Sequence, residues 1–226
     1  MDEIKDTIDS IIKDIREKKG KIEIPDIPER CKSCFNGEFE VDGFSLNCEK
    51  YGENNCLIYK EFINDNFGKD ILPNLQEVEE QARKKIEMYL SNIQKFSING
   101  KGLTIIGSLG TGKTSIIFLI VQEIFKRHIS FHYSHSYKFF DRQDENILNK
   151  RFLFIDDLGV EVKSDWNKSY FDYLIDHRYR FKLPTIISSN LNEKKLKEEY
   201  PRAMDRLRKI NYLIELKGGS KRWEKR

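Results

Sequence analysis

The stretch from Leu103 to Ser115 constrains the fold of this chain more than any other part of the sequence. Residues 103–106 form a short apolar run that predicts a buried strand, and residues 107–114 match the pattern G-x-x-x-x-G-K-[ST]. From residue 115 to residue 126, apolar side chains recur at helical spacing. A strand, a glycine-rich loop and a helix in this order predict an α/β domain with a phosphate-binding loop, or P-loop.

The residue types of this loop suit the phosphates of a nucleotide. Glycines let backbone amides turn towards phosphate oxygens, and the following helix adds its positive N-terminal end. Lys113 is expected to reach the β- and γ-phosphates, and the Thr114 hydroxyl is expected to bind Mg²⁺. The alternative is a glycine-rich turn beside a surface lysine, which the flanking strand and helix disfavour. The predicted nucleotide-binding residues are Gly107, Gly110, Thr111, Gly112, Lys113, Thr114 and Ser115.

Two further predicted strands end in polar side chains. Residues 152–155 are followed by Asp156 and Asp157, and the strand predicted at 184–190 ends in small polar groups, the last of them Asn190. Ligands of open α/β sheets bind outside the carboxyl ends of the strands, so these side chains are expected near the P-loop. Asp156 is expected to hold Mg²⁺ through water, Asp157 to orient or deprotonate the attacking water, and Asn190 to face the γ-phosphate and the same water.

All four cysteines lie between residues 31 and 56. In a reducing compartment this clustering favours a metal site over disulfides, and the C-x2-C spacing of the first pair suits two ligands on one tight turn. We therefore predict a four-cysteine zinc site. Its ligands would be Cys31, Cys34, Cys48 and Cys56, with Cys48 carried by a small hairpin of residues 39–46. The irregular spacing of the second pair leaves an iron–sulfur cluster or free buried thiols as alternatives.

Isoleucines at positions 4, 8, 11, 12 and 15 predict an amphipathic helix over residues 1–19. This helix either packs on its own domain or binds a partner, because an isolated helix of this length is marginal in water. We expect residues 1–67 to form an N-terminal docking module, residues 68–74 a linker, and residues 75–226 the nucleotide-binding domain.

Three local expectations concern the rest of the chain. Apolar spacing predicts one long helix over residues 75–96. A second helix is expected within residues 162–180, with an inner side formed by Trp166, Tyr170, Tyr173 and Leu174. His132 and His135 fall on opposite faces of a predicted strand, which favours structural or surface roles over metal binding.

The composition excludes several classes of protein. Charged residues make up 34% of the 226 residues and hydrophobic ones 38%, which suits a globular protein with exposed helices. The net charge of +3 is too small to indicate nucleic-acid binding by itself. No apolar run approaches the ~18 residues of a membrane span, and the N-terminus lacks the apolar segment of a signal peptide. The default expectation is therefore a cytoplasmic protein.

Four motifs occur in an order typical of one family. They are Gly107–Thr114, Ile155–Gly159, Ser188–Leu191 and Arg202–Leu207. Together they resemble a AAA+ ATPase of the bacterial DnaC/DnaI replicative helicase-loader family, and also the closely similar IstB transposition ATPases. The resemblance extends over about residues 75–216.

The resemblance assigns roles to these motifs. It implies a Walker A motif at 107–114, a Walker B motif at 152–157, sensor 1 at Asn190, and an arginine finger at Arg202 or Arg206. With these, the expected catalytic residues are Lys113, Asp156, Asp157, Asn190, Arg202 and Arg206, and the expected Mg²⁺-binding residues are Thr114 and Asp156.

The resemblance also implies an architecture and a function. The fold would be a lidless AAA+ domain, a parallel sheet flanked by helices, joined to the small N-terminal helix and zinc module. The protein would be an ATPase that uses ATP and Mg²⁺, self-associates through its nucleotide sites, and helps place a hexameric replicative helicase on single-stranded DNA. The alternatives are an IstB-like ATPase acting on a transposase and duplex DNA, and an ATP-gated scaffold with negligible hydrolysis.

Three departures from the family pattern matter. Asp157 stands where AAA+ enzymes usually have glutamate and is one methylene shorter, which predicts slow hydrolysis. The segment between the second strand and Walker B is short, whereas helicase loaders usually carry a helical insertion there that touches single-stranded DNA, so DNA binding stays open. Little chain follows residue 216, so no helical lid or sensor 2 arginine is expected.

Overall fold

The structure is a computed structural model of the chain. Its described residues are 38–41, 44–48, 56–67, 75, 78–141, 147–160 and 164–218. The predicted N-terminal helix at 1–19, Cys31, Cys34 and the predicted linker at 68–74 lie outside these residues. The chain divides into two compact units, the first ending at Lys60 and the second beginning at Glu61.

The first unit contains a two-stranded antiparallel hairpin. Strand β1 (Glu38–Val41) pairs with strand β2 (Phe44–Asn47) along its full length. Cys48 follows β2 directly, so the hairpin predicted to carry this cysteine is confirmed.

A five-stranded parallel sheet forms the centre of the second unit. Its strands are β3 (Gly102–Gly107), β4 (Phe131–His135), β5 (Phe152–Asp156), β6 (Thr185–Ser189) and β7 (Asn211–Leu216). They are arranged in the order β4-β5-β6-β3-β7, and every neighbouring pair runs parallel. Strands β3, β5 and β6 are buried almost throughout, as expected for the inner strands of a parallel sheet covered by helices, although β6 ends in two serines. The predicted α/β fold is confirmed.

Helices flank this sheet and connect its strands. Their bounds are α1 (Leu57–Phe67), α2 (Glu80–Ser91), α3 (Ile93–Asn99), α4 (Lys113–Lys126), α5 (Ser136–Asp141), α6 (Asp165–Arg180), α7 (Glu193–Glu199) and α8 (Pro201–Ile210). The single helix expected over 75–96 is instead the pair α2 and α3, because the backbone of Asn92 leaves the helical region at φ −113° and ψ 15°. Within the described ranges, no helix has the length and hydropathy that crossing a membrane requires.

The inner face of α6 differs from the expected one. Its buried residues are Phe171, Leu174, Ile175 and Arg178, which follow the helical spacing of one face. The expectation was right for Leu174 and in part for Tyr170, which is partly buried against the core, but Trp166 is 67% exposed and Tyr173 is 58% exposed. Aromatic side chains at helical spacing were mistaken for core residues here, because exposed aromatics obey the same periodicity as buried ones.

Arg178 is a fully buried charged residue at the end of β5 and β6 opposite the P-loop. Its guanidinium donates six hydrogen bonds, at 2.8–3.4 Å, to the Thr185 hydroxyl and to the carbonyl oxygens of Ile147, Leu148, Lys150, Arg151 and Pro184. No carboxylate among the described side chains pairs with it. Burial, with a smaller contribution from the charge of Arg151, lowers the pKa of Arg178 to about 9, so the group stays charged at neutral pH. Arg178 therefore connects α6 to the segments before β5 and β6 through hydrogen bonds to uncharged oxygen atoms.

Replacing Arg178 by leucine should lower the free energy of unfolding by about 3 kcal/mol or more, because buried carbonyl oxygens lose their donors. The matched control is Arg180→Leu on the same helix, where an exposed arginine has a single ion pair with a described residue, Asp176. This control should change the free energy by about 0.5 kcal/mol at most. Urea unfolding of both variants measures the difference, and equal losses would contradict the role given to Arg178.

Candidate nucleotide-binding site

The P-loop joins β3 to α4 at the carboxyl end of the sheet. Gly110 and Gly112 adopt positive φ angles of 79° and 93°, a region that side chains strongly disfavour. Gly107 is needed for a different reason, because a Cβ there would lie 2.7 Å from the carbonyl oxygen of Leu216. The loop thus holds its turn through backbone conformations that only glycine adopts without strain.

Lys113 begins α4 and folds back across the loop. Its Nζ donates hydrogen bonds to the carbonyl oxygens of Gly107 at 2.9 Å and Ser108 at 2.8 Å. It also donates to Oδ1 of Asn190 at 2.7 Å, although the side chain is only 5% exposed. The structure therefore brings together the predicted phosphate lysine and the predicted sensor residue, which lie 77 positions apart in sequence.

Asp156, the last residue of β5, is fully buried and surrounded by hydroxyl groups. The hydroxyls of Thr114 and Tyr133 each donate to its Oδ2 at 3.0 Å. The Ser188 hydroxyl donates to its Oδ1. Hydrogen bonds to a charged acceptor compensate much of the cost of burying a carboxylate. Burial and the neighbouring charge of Asp156 raise the pKa of Tyr133, which keeps its hydroxyl protonated as a donor.

Asp157 follows on the exposed side of the strand end. Its backbone adopts a positive φ of 57°, and its amide donates to the Ser188 hydroxyl at 2.9 Å. Its Oδ1 lies 3.5 Å from Nδ2 of Asn190. Asp157 and Asn190, both predicted to face the attacking water, are therefore neighbours.

The residues at this edge fit a divalent cation beside a nucleotide. Thr114 and Asp156 supply a hydroxyl and a carboxylate, the hard oxygen donors that Mg²⁺ prefers, and their side chains already touch. His135, predicted to be structural or on the surface, also lies near this edge, with its Nδ1 3.8 Å from Oδ2 of Asp156. One ligand atom from each of His135, Asp156 and Asp157 falls within 4.8 Å of the others.

The two candidate finger arginines lie on α8 and differ in their surroundings. Arg206 forms ion pairs with Asp176 at 3.2 Å and with Asp205 at 3.3 Å. The Arg202 side chain is exposed, and no hydrogen bond or ion pair joins it to another described residue. Within the part of the chain that the structure describes, no hydrogen bond or ion pair joins either side chain to the P-loop.

Two of the four predicted zinc ligands fall within the first unit as described. Cys48 and Cys56 are both buried and neither is in a disulfide. The backbone amide of Tyr59 donates to Sγ of Cys56 at 3.4 Å. Cys31 and Cys34 lie outside the described residues, so the zinc site stays a prediction.

Sequence reasoning missed two residues that surround Asp156. Ser188 is the fourth residue of β6, and within its motif a role was predicted for Asn190 alone. Tyr133 lies in β4, where an aromatic residue is ordinary and gives no signal of its partner. Both contacts arise from strand order, which residue types do not encode.

The chain is similar to bacterial helicase loaders in sequence and in structure, although no family model matches it. It is 28% identical over 148 residues to the replicative helicase loader DnaC of Escherichia coli strain K12, a match covering 59% of this chain and 58% of DnaC. The matched part thus spans little more than half of that relative's length.

Two solved structures extend the similarity to the fold. The crystal structure of the DnaC helicase loader superposes with a TM-score of 0.55 at 25% identity, covering 64% of this chain and 97% of the other. The crystal structure of DnaI superposes with a TM-score of 0.57 at 26% identity, covering 67% and 92%. The resemblance to AAA+ proteins of the DnaC and DnaI helicase-loader family, predicted from the motifs, is therefore confirmed.

Proposed function

We propose that this chain is an ATP-dependent loader that binds a hexameric replicative DNA helicase and helps place it on single-stranded DNA. The observation that carries the proposal is the convergence of Lys113, Asn190 and the Thr114–Asp156 pair at the ends of three neighbouring strands, β3, β6 and β5. This is the arrangement that a nucleoside triphosphate with Mg²⁺ requires. It occurs in a chain that is similar to replicative helicase loaders.

Each residue has a defined part in ATP binding and hydrolysis. Lys113 would exchange its carbonyl partners for the β- and γ-phosphates, with Gly107, Gly110, Thr111, Gly112 and Ser115 forming the rest of the phosphate loop. Thr114 and Asp156 would hold Mg²⁺, which neutralises phosphate charge when bound. Asp157 and Asn190 would orient the attacking water, and the short Asp157 side chain predicts slow turnover.

Self-association would complete the site with an arginine from a neighbouring subunit. Phosphoryl transfer develops charge that an arginine supplied in trans stabilises, by on the order of 10³–10⁵ in rate. Arg202 suits this role better than Arg206, because Arg206 is already paired with Asp176 and Asp205.

The N-terminal part would provide the docking module. The isoleucine stripe of residues 1–19 would bind the helicase, and a zinc ion on Cys31, Cys34, Cys48 and Cys56 would stabilise the segment around the hairpin. The amide–sulfur contact at Cys56 supports this, because zinc-bound thiolates commonly accept hydrogen bonds from nearby backbone amides.

Two other functions remain as alternatives. An IstB-like ATPase would share the same nucleotide site but bind a transposase and duplex DNA. A scaffold gated by ATP would bind nucleotide without appreciable turnover, and the Asp157 side chain favours it over a fast enzyme. The identity of the partner distinguishes the IstB-like ATPase from a helicase loader. A turnover assay distinguishes the scaffold from an enzyme that hydrolyses ATP.

The first prediction joins nucleotide binding to partner binding. Lys113→Ala should weaken binding of a fluorescent ATP analogue by at least about 100-fold, because several charged hydrogen bonds to phosphate are lost. It should also abolish ATP-dependent capture of a hexameric replicative helicase by the full chain. Lys126→Ala, at the exposed end of the same helix, is the matched control and should change neither measurement. Capture of a transposase with no helicase would favour the IstB-like function.

The second prediction tests the arginine in trans. Lys113→Ala and Arg202→Ala chains should each lack ATPase activity, and mixing them should restore part of it, because some sites then combine an intact P-loop with an intact arginine. Arg206→Ala should be less impaired than Arg202→Ala. Absence of recovery, at concentrations where self-association is verified, would show that one chain completes its own site.

The third prediction concerns the metal. The purified protein should contain about one zinc per chain, measured by elemental analysis. Cys31→Ser should release the zinc while leaving nucleotide binding in place, and Ser33→Ala, between the first two ligands, serves as the control. Iron in place of zinc, or four freely titrating thiols in the folded protein, would contradict the zinc site.

A further inference from the structure

Tyr133 lies between α1 and the buried carboxylate of Asp156. It is the central residue of β4 and only 6% exposed. One end of the side chain, the hydroxyl, reaches the nucleotide site, whereas the ring packs against two aromatic side chains of α1, Phe62 and Phe67. This side chain therefore links a helix outside the site to a predicted Mg²⁺-binding residue.

The hydroxyl end is fixed by its acceptor. It donates to Oδ2 of Asp156 at 3.0 Å and lies 3.4 Å from Nε2 of His135. The Thr114 hydroxyl shares the same carboxylate oxygen. Because Thr114 is the expected Mg²⁺ ligand, Tyr133 and Ser188 are the donors left to orient Asp156 when the ion is bound.

The ring end is fixed by α1. Phe67, the last residue of α1, has its ring centroid 4.6 Å from that of Tyr133. Phe62 adds an edge-to-face contact at 6.3 Å, and Phe67 itself rests on Phe118 of α4 at 5.4 Å. Rings at these distances pack with a defined geometry, so a displacement of α1 changes the space available to the Tyr133 ring.

We propose that Tyr133 is a positioning residue for Asp156, and that α1 fixes the position of the Tyr133 ring through Phe67. The inference rests on the proposed nucleotide-binding function. It adds a way in which a helix outside the site could affect Mg²⁺ binding. Helix α1 starts at Leu57, before the division between the two units, and ends at Phe67, beyond it. A partner that moves α1 would therefore alter how firmly the chain holds Mg²⁺, without touching the P-loop.

The test compares nucleotide binding with and without the ion. The dissociation constant of a fluorescent ATP analogue is measured in EDTA and in excess Mg²⁺. The value in EDTA divided by the value in Mg²⁺ is the Mg²⁺ effect. Tyr133→Phe keeps the ring and removes the hydroxyl, so the Mg²⁺ effect should fall about tenfold while binding in EDTA changes less than about twofold. Phe67→Leu should lower the Mg²⁺ effect by about threefold, because the ring contact is lost and the hydroxyl is kept.

Two further variants distinguish positioning from general loosening of the core. The double variant Tyr133→Phe/Phe67→Leu should show no greater loss than Tyr133→Phe alone, because Phe67 acts through the hydroxyl. Phe140→Leu removes a ring that contacts Phe139 and Phe171 and should leave the Mg²⁺ effect unchanged. Melting temperatures of all four proteins show whether the variants fold.

Each outcome decides one point. An unchanged Mg²⁺ effect in Tyr133→Phe overturns the positioning role, and additive losses in the double variant overturn the part given to Phe67. An equal fall in Phe140→Leu shows that loss of packing alone explains the effect and overturns the inference. Failure of the wild-type chain to bind the analogue at all would overturn the proposed function, and the inference with it.

Discussion

The hydrogen bonds donated to one buried carboxylate, that of Asp156, hold together three elements of the second unit. Asp156 is completely removed from solvent, and a charge in that position is tolerated only when donors surround it. The donors come from three different elements: Thr114 from α4, Tyr133 from β4 and Ser188 from β6. These elements are far apart in sequence. The Asp156 carboxylate therefore finds all three donors only when the strands lie in the observed order.

The same requirement prepares the site for its ligand. Lys113 is also buried, and its amine is satisfied by loop carbonyls and by Asn190. The Lys113 amine and the Asp156 carboxylate are thus each held by exchangeable hydrogen bonds. Incoming phosphates and Mg²⁺ would replace contacts of similar chemistry, so little of the surrounding backbone has to move.

The residues that were predictable are those whose signal is local. The P-loop and the Asp156–Asp157 pair are recognised because their residue types recur at fixed spacing after an apolar strand. Arg178 had no such signal, because its partners are mainly backbone carbonyls, which every sequence supplies. Trp166 and Tyr173 show the opposite failure, since their helical spacing is genuine but their face is exposed.

The aromatic contacts of α1 also bear on where this protein could be cut or recombined. Phe62 packs on Phe125 and Phe131, with ring centroids 5.3 Å apart in both cases. A truncated second unit beginning after residue 67 would expose these rings and the Tyr133 ring to water, favouring aggregation. An exchange of N-terminal modules between relatives would keep the second unit intact only if the junction preceded Glu61. The second half of α1 would thus be inherited with the nucleotide-binding unit rather than with the cysteines.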